Sequence, residues 1–420
     1  MITTMLAASA ADAFDVDAAT RAYLAMVQGP ARLRSDAYFE GGYWLILWGA
    51  LISIAVNWAL LHFGWSARWS AWAARRVRRP SLRTMLYWLP YTFATGLILL
   101  PWTIYTDYWR EHQYAMSNLT FGAWSGEQLT DLLINLVVGA LAIAAIYAVI
   151  RRAPRSWWLW GTAVTVAFLT FGALLAPVFI SPLFNTYTPM AESPLREEIL
   201  AMARANNVPA DNVYVFDASK QTDRISANVS GLGPTIRISL NDNLLGRTAP
   251  EEVKAVMGHE LGHYVLNHVW KLIGGFGLIF LFVFLFAWAA APRLLARYGR
   301  RWSVREVADP ASLPLLVILF SVGMFFATPL THSIIRIHEV EADAFGLDAA
   351  REPDGFAHVA MRLSEYRKLE PGHLEELIFF DHPSGANRAR MSMEWKARHL
   401  AELPPEKRVL QRPAPLPVKD

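Results

Sequence analysis

The chain has no cysteine among its 420 residues. That excludes disulfides, thiolate nucleophiles and thiolate metal ligands, so any metal must be held by His, Asp or Glu. Charge is also missing over long stretches. Six segments, 41–63, 84–106, 132–150, 156–180, 272–292 and 311–331, contain no Asp, Glu, Lys or Arg. Each is long enough to cross a hydrocarbon core of ~30 Å as a helix. A buried helix of a large soluble globule would carry a polar stripe, and "LIFLFVFLFAWAAA" has none. The N-terminus lacks the basic start and apolar core of a cleaved signal, its first basic residue being Arg21. Nor is there an internal repeat. The net charge is only +3, and the arginines sit mainly in short loops between the apolar segments, which argues against a nucleic-acid surface.

What is present fits a bilayer. Hydrophobic residues make up 54% of the chain, and tryptophans such as Trp65, Trp69, Trp102 and Trp157 cluster near segment ends, as in an interfacial belt. The expected layout is an N-terminal extramembrane segment (1–40), four spans (41–180), a soluble catalytic part (181–270), a two-span hairpin (271–331) and a C-terminal catalytic part with a polar tail (332–420). Within the soluble part, residues 212–219 and 235–240 read as strands joined by a Gly/Ser/Asn-rich connection. The stretch "TAPEEVKAVMGHELGHYVLNH" reads as a helix, with Thr248 or a neighbour as its N-cap and Pro250 in the first turn.

That helix carries the chemistry. Residues four apart share a helical face about 6 Å apart along the axis, so His259 and His263 can turn imidazole nitrogens toward one ion. Glu260 projects a quarter-turn round, where a general base can face an activated water without ligating. Gly262 leaves room for a substrate or a neighbouring helix. A catalytic zinc needs a third protein ligand and an open position. Two consecutive spans return the chain to the side it left, so the helix after residue 331 emerges beside the histidines. Glu339 and His263 both lie ~12 Å from the hydrocarbon edge at 1.5 Å per residue. Glu339 is therefore the expected third ligand, with His338 as its rival. Asp343, one turn on, is placed to take the free N–H of a ligating histidine.

The combination of "MGHELGHYVLNH" with "EVEADAFG" across a hairpin resembles the type I CAAX prenyl proteases, which are integral-membrane zinc metalloproteases. The segments "LLPWTIYTDYWREHQYAMSNLT", "PVFISPLFNTYTPM", "NVYVFDASKQTDRISANVSGLG" and "DHPSGANRAR" follow that family's order, and the likeness covers roughly residues 41 to 400. The resemblance implies a mainly α, polytopic membrane protein of about six transmembrane helices with a gluzincin-like α+β protease domain. It implies one Zn2+ per chain on His259, His263 and Glu339, with Glu260 as base. It also implies that Asn228 helps hold substrate against a strand edge. His382 and Arg388 would stabilise the developing oxyanion or the substrate carboxylate.

The implied reaction is removal of a C-terminal tripeptide from a lipidated or otherwise membrane-bound peptide. The alternatives are a quality-control endoprotease of the HtpX type and, from another class, a transporter or scaffold with a structural zinc. The last would place ionisable residues inside the spans, where only the amides Asn57 and Asn135 stand out. Eukaryotic members have seven spans, and residues 1–40 offer no counterpart of the first. A bacterial inner membrane is the expected location. The loops 64–83, 151–155 and 293–310 hold six, three and five arginines, which by the positive-inside rule makes them cytoplasmic and puts the catalytic part on the other face. The eukaryotic resemblance implies the opposite side.

Overall fold

The structure, a computed structural model, describes residues 14–231 and 236–409. A short helix α1 (Val16–Leu24) leads into α2 (Gly29–His62), α3 (Trp65–Arg76), α4 (Pro80–Thr103), α5 (Phe121–Arg152) and α6 (Trp157–Leu175). Among the described residues, five helices are long and apolar enough to cross a membrane: α2, α5, α6 with the turns extending it to Leu183, and the two helices of the later hairpin. The sixth expected span is not in that set. Helix α4 forms, but Tyr87, Pro90, Tyr91, Thr92 and Pro101 dilute its apolar character. Side chains such as Leu97 (73% exposed) and Phe326 (76%) point outward, an arrangement suited to lipid and not to water. Asn57, singled out in the sequence, is satisfied within the bundle: its amide donates to the Ser53 carbonyl (2.9 Å) and its oxygen accepts from Tyr91 Oη (2.8 Å).

The three arginine-rich loops come together at one end of the bundle. There Ala73, Ile150, Trp302 and Leu313 share one core. Neutral hydroxyls close it: Ser66 Oγ donates to the Ala311 carbonyl (2.8 Å), and Tyr147 Oη pairs with Ser312 Oγ (2.8 Å).

The extramembrane part begins with β1 (Tyr187–Pro189), α7 (Pro194–Ala205), β2 (Val213–Phe216), β3 (Ala227–Ser230) and β4 (Arg237–Asn241). The sheet order is β1-β2-β4-β3, with β2 and β4 parallel and the outer pairs antiparallel. Two of these strands match the expected ones. β3, which carries Asn228, arises inside the segment read as a connection, and it forms one edge of the sheet. Next come α8 (Pro250–Val265), bearing the histidine motif, then the hairpin of α9 (His268–Trp302) and α10 (Leu313–Ala350). The N-cap of α8 is Ala249; the Thr248 hydroxyl is instead bonded to the Leu244 carbonyl. Helices α11 (Pro353–Leu363), α12 (His373–Phe379) and α13 (Gly385–Arg398) complete the catalytic part. Helix α1 is no membrane span. It packs on this part, with Tyr23 in a core shared with Ala357, Met361 and Met393, and Tyr23 Oη donating to Asp354 (2.7 Å).

Helices α8 and α10 cross in close contact, and small residues make this possible. A Cβ on Gly258 would meet the Gly346 carbonyl oxygen at 2.7 Å, and one on Gly346 would meet the His259 nitrogen at 2.7 Å. Gly262 likewise faces Ala342 and Phe345. The room left by Gly262 is thus taken by a neighbouring helix, which brings Glu339 up to the histidines.

Candidate metal centre and active site

His259, His263 and Glu339 converge. His259 Nε2 and His263 Nε2 are 3.0 Å apart, and they lie 3.2 and 3.4 Å from the Glu339 carboxylate oxygens. A tetrahedral ion with bonds of ~2.0–2.1 Å sets its ligand atoms about 3.3 Å apart, so this trio has the spacing of three corners of such a site. The chemistry of the donors agrees. Glu339 Oε2 is buried and receives no well-formed hydrogen bond, although His259 Nε2 stands 3.2 Å away and His382 Nε2 3.1 Å away. Two imidazole nitrogens and a carboxylate turned toward one point call for a cation. The three form the metal-capable group among the described residues. His338 is not part of it; its Nδ1 bonds the Ile334 carbonyl of its own helix at 2.7 Å.

The outer nitrogens are also occupied. His259 Nδ1 donates to Asp343 Oδ1 (2.7 Å), and Asp343, fully buried, is gripped by both arms of Arg388, with Nε to Oδ2 at 2.9 Å. Asp343 thus does what its helical spacing suggests. Arg388 does not face a substrate with a free fork, because its guanidinium is spent on Asp343. On the other ligand, His263 Nδ1 bonds His268 Nδ1 (2.9 Å), and His268 Nε2 bonds Glu341 (3.1 Å), which also accepts from Lys271 (2.9 Å). Only one arrangement of protons is consistent with both Nε2 atoms facing the metal position: each ligand carries its proton on Nδ1, and His268 passes the bond on to the carboxylate.

His268 was not legible as a partner. It lies five residues past His263, off any helical face. The chain breaks at Asn267, whose φ of 57° is left-handed, and this turn swings His268 back under the metal position.

Electrostatics follow burial. Burial pulls the His259 imidazole down, but its bond to Asp343 and the Glu339 carboxylate 3.2 Å away outweigh this and raise it. Burial and the neighbouring His259 push His263 down to about 4. Glu260 makes no hydrogen bond to these ligands, and burial pushes its carboxyl up to about 7, a value suited to taking and returning a proton near neutrality.

A cavity of about 200 Å³ opens beside His259 and Glu260, walled by Ser226 and Ala227 of the β3 region, His382 and Arg388. His382 stands between two carboxylates, Nδ1 at 2.8 Å from Asp381 and Nε2 at 3.1 Å from Glu339. It therefore reaches the carboxylate of the third candidate ligand. Asn228 is on the edge strand one residue beyond the cavity wall.

Fold and site together define an integral-membrane metalloendopeptidase. Residues 189–396 match the model of peptidase family M48, and residues 32–186 match that of the CAAX prenyl protease N-terminal region, described as five membrane helices. A metalloprotease of Bacillus subtilis, YhfN, is 30% identical over 339 residues, 79% of each chain. CAAX prenyl protease 1 of Saccharomyces cerevisiae is 26% identical over 309 residues, covering 70% of this chain and 68% of that one. In fold, the crystal structure of S. mikatae Ste24p superposes with a TM-score of 0.75 over 88% of this chain and 90% of that one, at 18% identity. The chain belongs to peptidase family M48, in its CAAX prenyl protease branch.

Proposed function

We propose that the metal is a single zinc ion held by His259, His263 and Glu339, and that the site hydrolyses a peptide bond near the C-terminus of a membrane-bound, lipidated substrate. Bound there, zinc supplies a Lewis acid and a water of lowered pKa. The Glu260 carboxylate is the group that would take a proton from the attacking water and return it to the leaving amine. Asp343, held by Arg388, fixes the tautomer of His259, and His268 does the same for His263. His382 is the donor nearest the developing oxyanion. Asn228 and the β3 edge hold the substrate extended, since strand addition supplies main-chain bonds without demanding particular side chains.

The observation that carries this reading is the cavity at Glu260. A structural zinc would have its fourth side closed by protein, whereas here the ligand His259 borders open space that Glu260 also lines. The lipid-bound substrate is supported by the similarity to a yeast enzyme named CAAX prenyl protease 1. We also read residues 1–40 as an extramembrane segment, 41–180 as the membrane-anchoring portion and 181–270 with 332–420 as the two halves of the catalytic part, around the hairpin. A bacterial inner membrane is the proposed location; the arginines gathered at the opposite end of α9 and α10 support a catalytic part outside the cytosol, against the side that the eukaryotic resemblance implies.

The test is a pair of fluorogenic peptides ending in the same sequence, one farnesylated, offered to the detergent-purified protein and to its Glu260→Gln variant. Cleavage of the lipidated peptide at rates lowered ~10²-fold or more by the substitution, with zinc content unchanged, is expected. Equal cleavage of both peptides would remove the lipid from the proposal. An unaffected variant would remove the role of Glu260.

A further inference from the structure

Arg388 was the sequence's candidate for the substrate carboxylate, and Asp343 occupies it. A different cation is free to take that place. Tyr366 and Arg367 wall the cavity at Glu260 and also a second cavity of about 380 Å³ that adjoins it, lined further by Tyr38, Tyr43, Arg110 and Arg224. Arg367 therefore stands where the two spaces meet.

The other guanidiniums of these walls are committed. Arg224 bonds Glu111 (2.8 Å) and the Tyr38 hydroxyl (2.6 Å). Arg110 bonds the Tyr38 carbonyl and lies 3.5 Å from Glu111. For Arg367, the backbone carbonyl accepts from Ser35 Oγ at 3.1 Å, but the guanidinium has neither a hydrogen bond nor an ion pair among the described residues. It lies 5.9 Å from the Tyr366 ring centroid, and its charge is felt by Asp381 and His382. The nearest carboxylate along the wall, Asp381, is bonded to His382. A partly buried arginine with an unused planar fork, beside the reacting centre, is built to take a carboxylate in bidentate fashion.

We propose that Arg367 binds the C-terminal carboxylate of the substrate, which confines cleavage to bonds close to a free chain end. The proposal rests on the peptidase reading above and adds to it a residue that sets specificity. The space at Glu260, about 200 Å³, is smaller than the ~300 Å³ lower bound of usual ligand pockets, so it admits a short piece of chain. A cation at its wall is met by the end of such a piece more readily than by the middle of a long one.

The experiment uses the full-length zinc-loaded protein in detergent with two peptides of one sequence, ending in a free carboxylate or an amide. Steady-state kinetics are measured for wild type, Arg367→Gln and Arg367→Lys. Binding is measured by fluorescence anisotropy on the Glu260→Gln protein with and without Arg367→Gln. Wild type should favour the acid by tenfold or more, mainly through KM. Arg367→Gln should erase that preference, and Arg367→Lys should restore part of it. The Kd values should show the same preference and the same loss. A wild type that treats acid and amide alike overturns the proposal, as does an equal loss on both peptides in the variant. So does an internal glutamate that restores tight binding to the amide. If neither peptide is hydrolysed yet the acid still binds more tightly through Arg367, the peptidase reading falls and the carboxylate site stands.

Discussion

His259 and His263 sit one turn apart on the same face of α8, and the protein backs them by opposite means. Behind His259 stand a fully buried aspartate and a fully buried arginine, locked together by two hydrogen bonds. Behind His263 stand a neutral imidazole and then a carboxylate that is 44% exposed and shared with a surface lysine. One support is a fixed charge deep in the protein, and the other is a relay that ends in solvent. A buried ion pair is costly to break because the survivor is left uncompensated, whereas a pair at the surface is screened by water. The His259 side should therefore govern whether the site folds, and the His263 side should only tune it.

Removing Arg388 tests the strong side most severely. Arg388→Gln leaves Asp343 charged and buried, and thermal unfolding of the metal-loaded protein should show a loss of ~3–5 kcal/mol. The double variant with Asp343→Asn should recover part of it; a double variant worse than the sum of the two would contradict the pairing. Next in size is Asp343→Asn alone, read by competition with a zinc chelator, with affinity falling ~10–100-fold. His268→Gln, measured the same way, should sit at the lower end of that range or below it. Glu341→Gln should cost a factor of about 5 or less and lose even that in high salt, since its partner is at the surface. If the His268 and Asp343 variants weaken zinc equally, the contrast between the two supports is wrong.

The smallest expected effect is in pH. Glu252 anchors α8 to α11: burial raises its carboxyl, but the bonds from His358 and Arg362 (2.7 Å) outweigh this and hold it below its usual range. A carboxyl depressed on folding adds stability above its unfolded value of ~4.3, and that stability is lost as pH falls through the folded value. The melting-temperature gap between wild type and Glu252→Gln should therefore be full at neutral pH and shrink below about pH 4. A gap that widens on acidification would reverse the sign.

The features that were legible in the sequence were those set by one helix or by chain return. His259, Glu260 and His263 follow from helical spacing, and Glu339 and Asp343 follow from the hairpin that brings α10 back at matched depth. What could not be read depended on contacts between distant segments. Arg388 carries no sign in its own neighbourhood that Asp343, 45 residues earlier, will use up its charge. β3 hides in a Gly/Ser/Asn-rich stretch because an edge strand needs only one partner, and β4 supplies it. Helix α4 lacks charge from Thr84 on, and its tyrosines and prolines leave it less apolar than the other five over a membrane-length stretch, although Leu97 on it faces outward as the side chains of the spans do.

The 38-residue helix α10 runs unbroken from the arginine-rich end of the bundle to the metal centre, and at 1.5 Å per residue it is ~57 Å long. It is at once a membrane span and the carrier of Glu339, and at Gly346 it is pressed against the backbone of His259. A pivot of such a helix at that glycine contact would carry Glu339 with it. Tilt adopted to match a thicker or thinner bilayer would be felt as a change in the height of Glu339 beside the two histidines. Activity measured after reconstitution into lipids of graded chain length would show whether that height matters to the site.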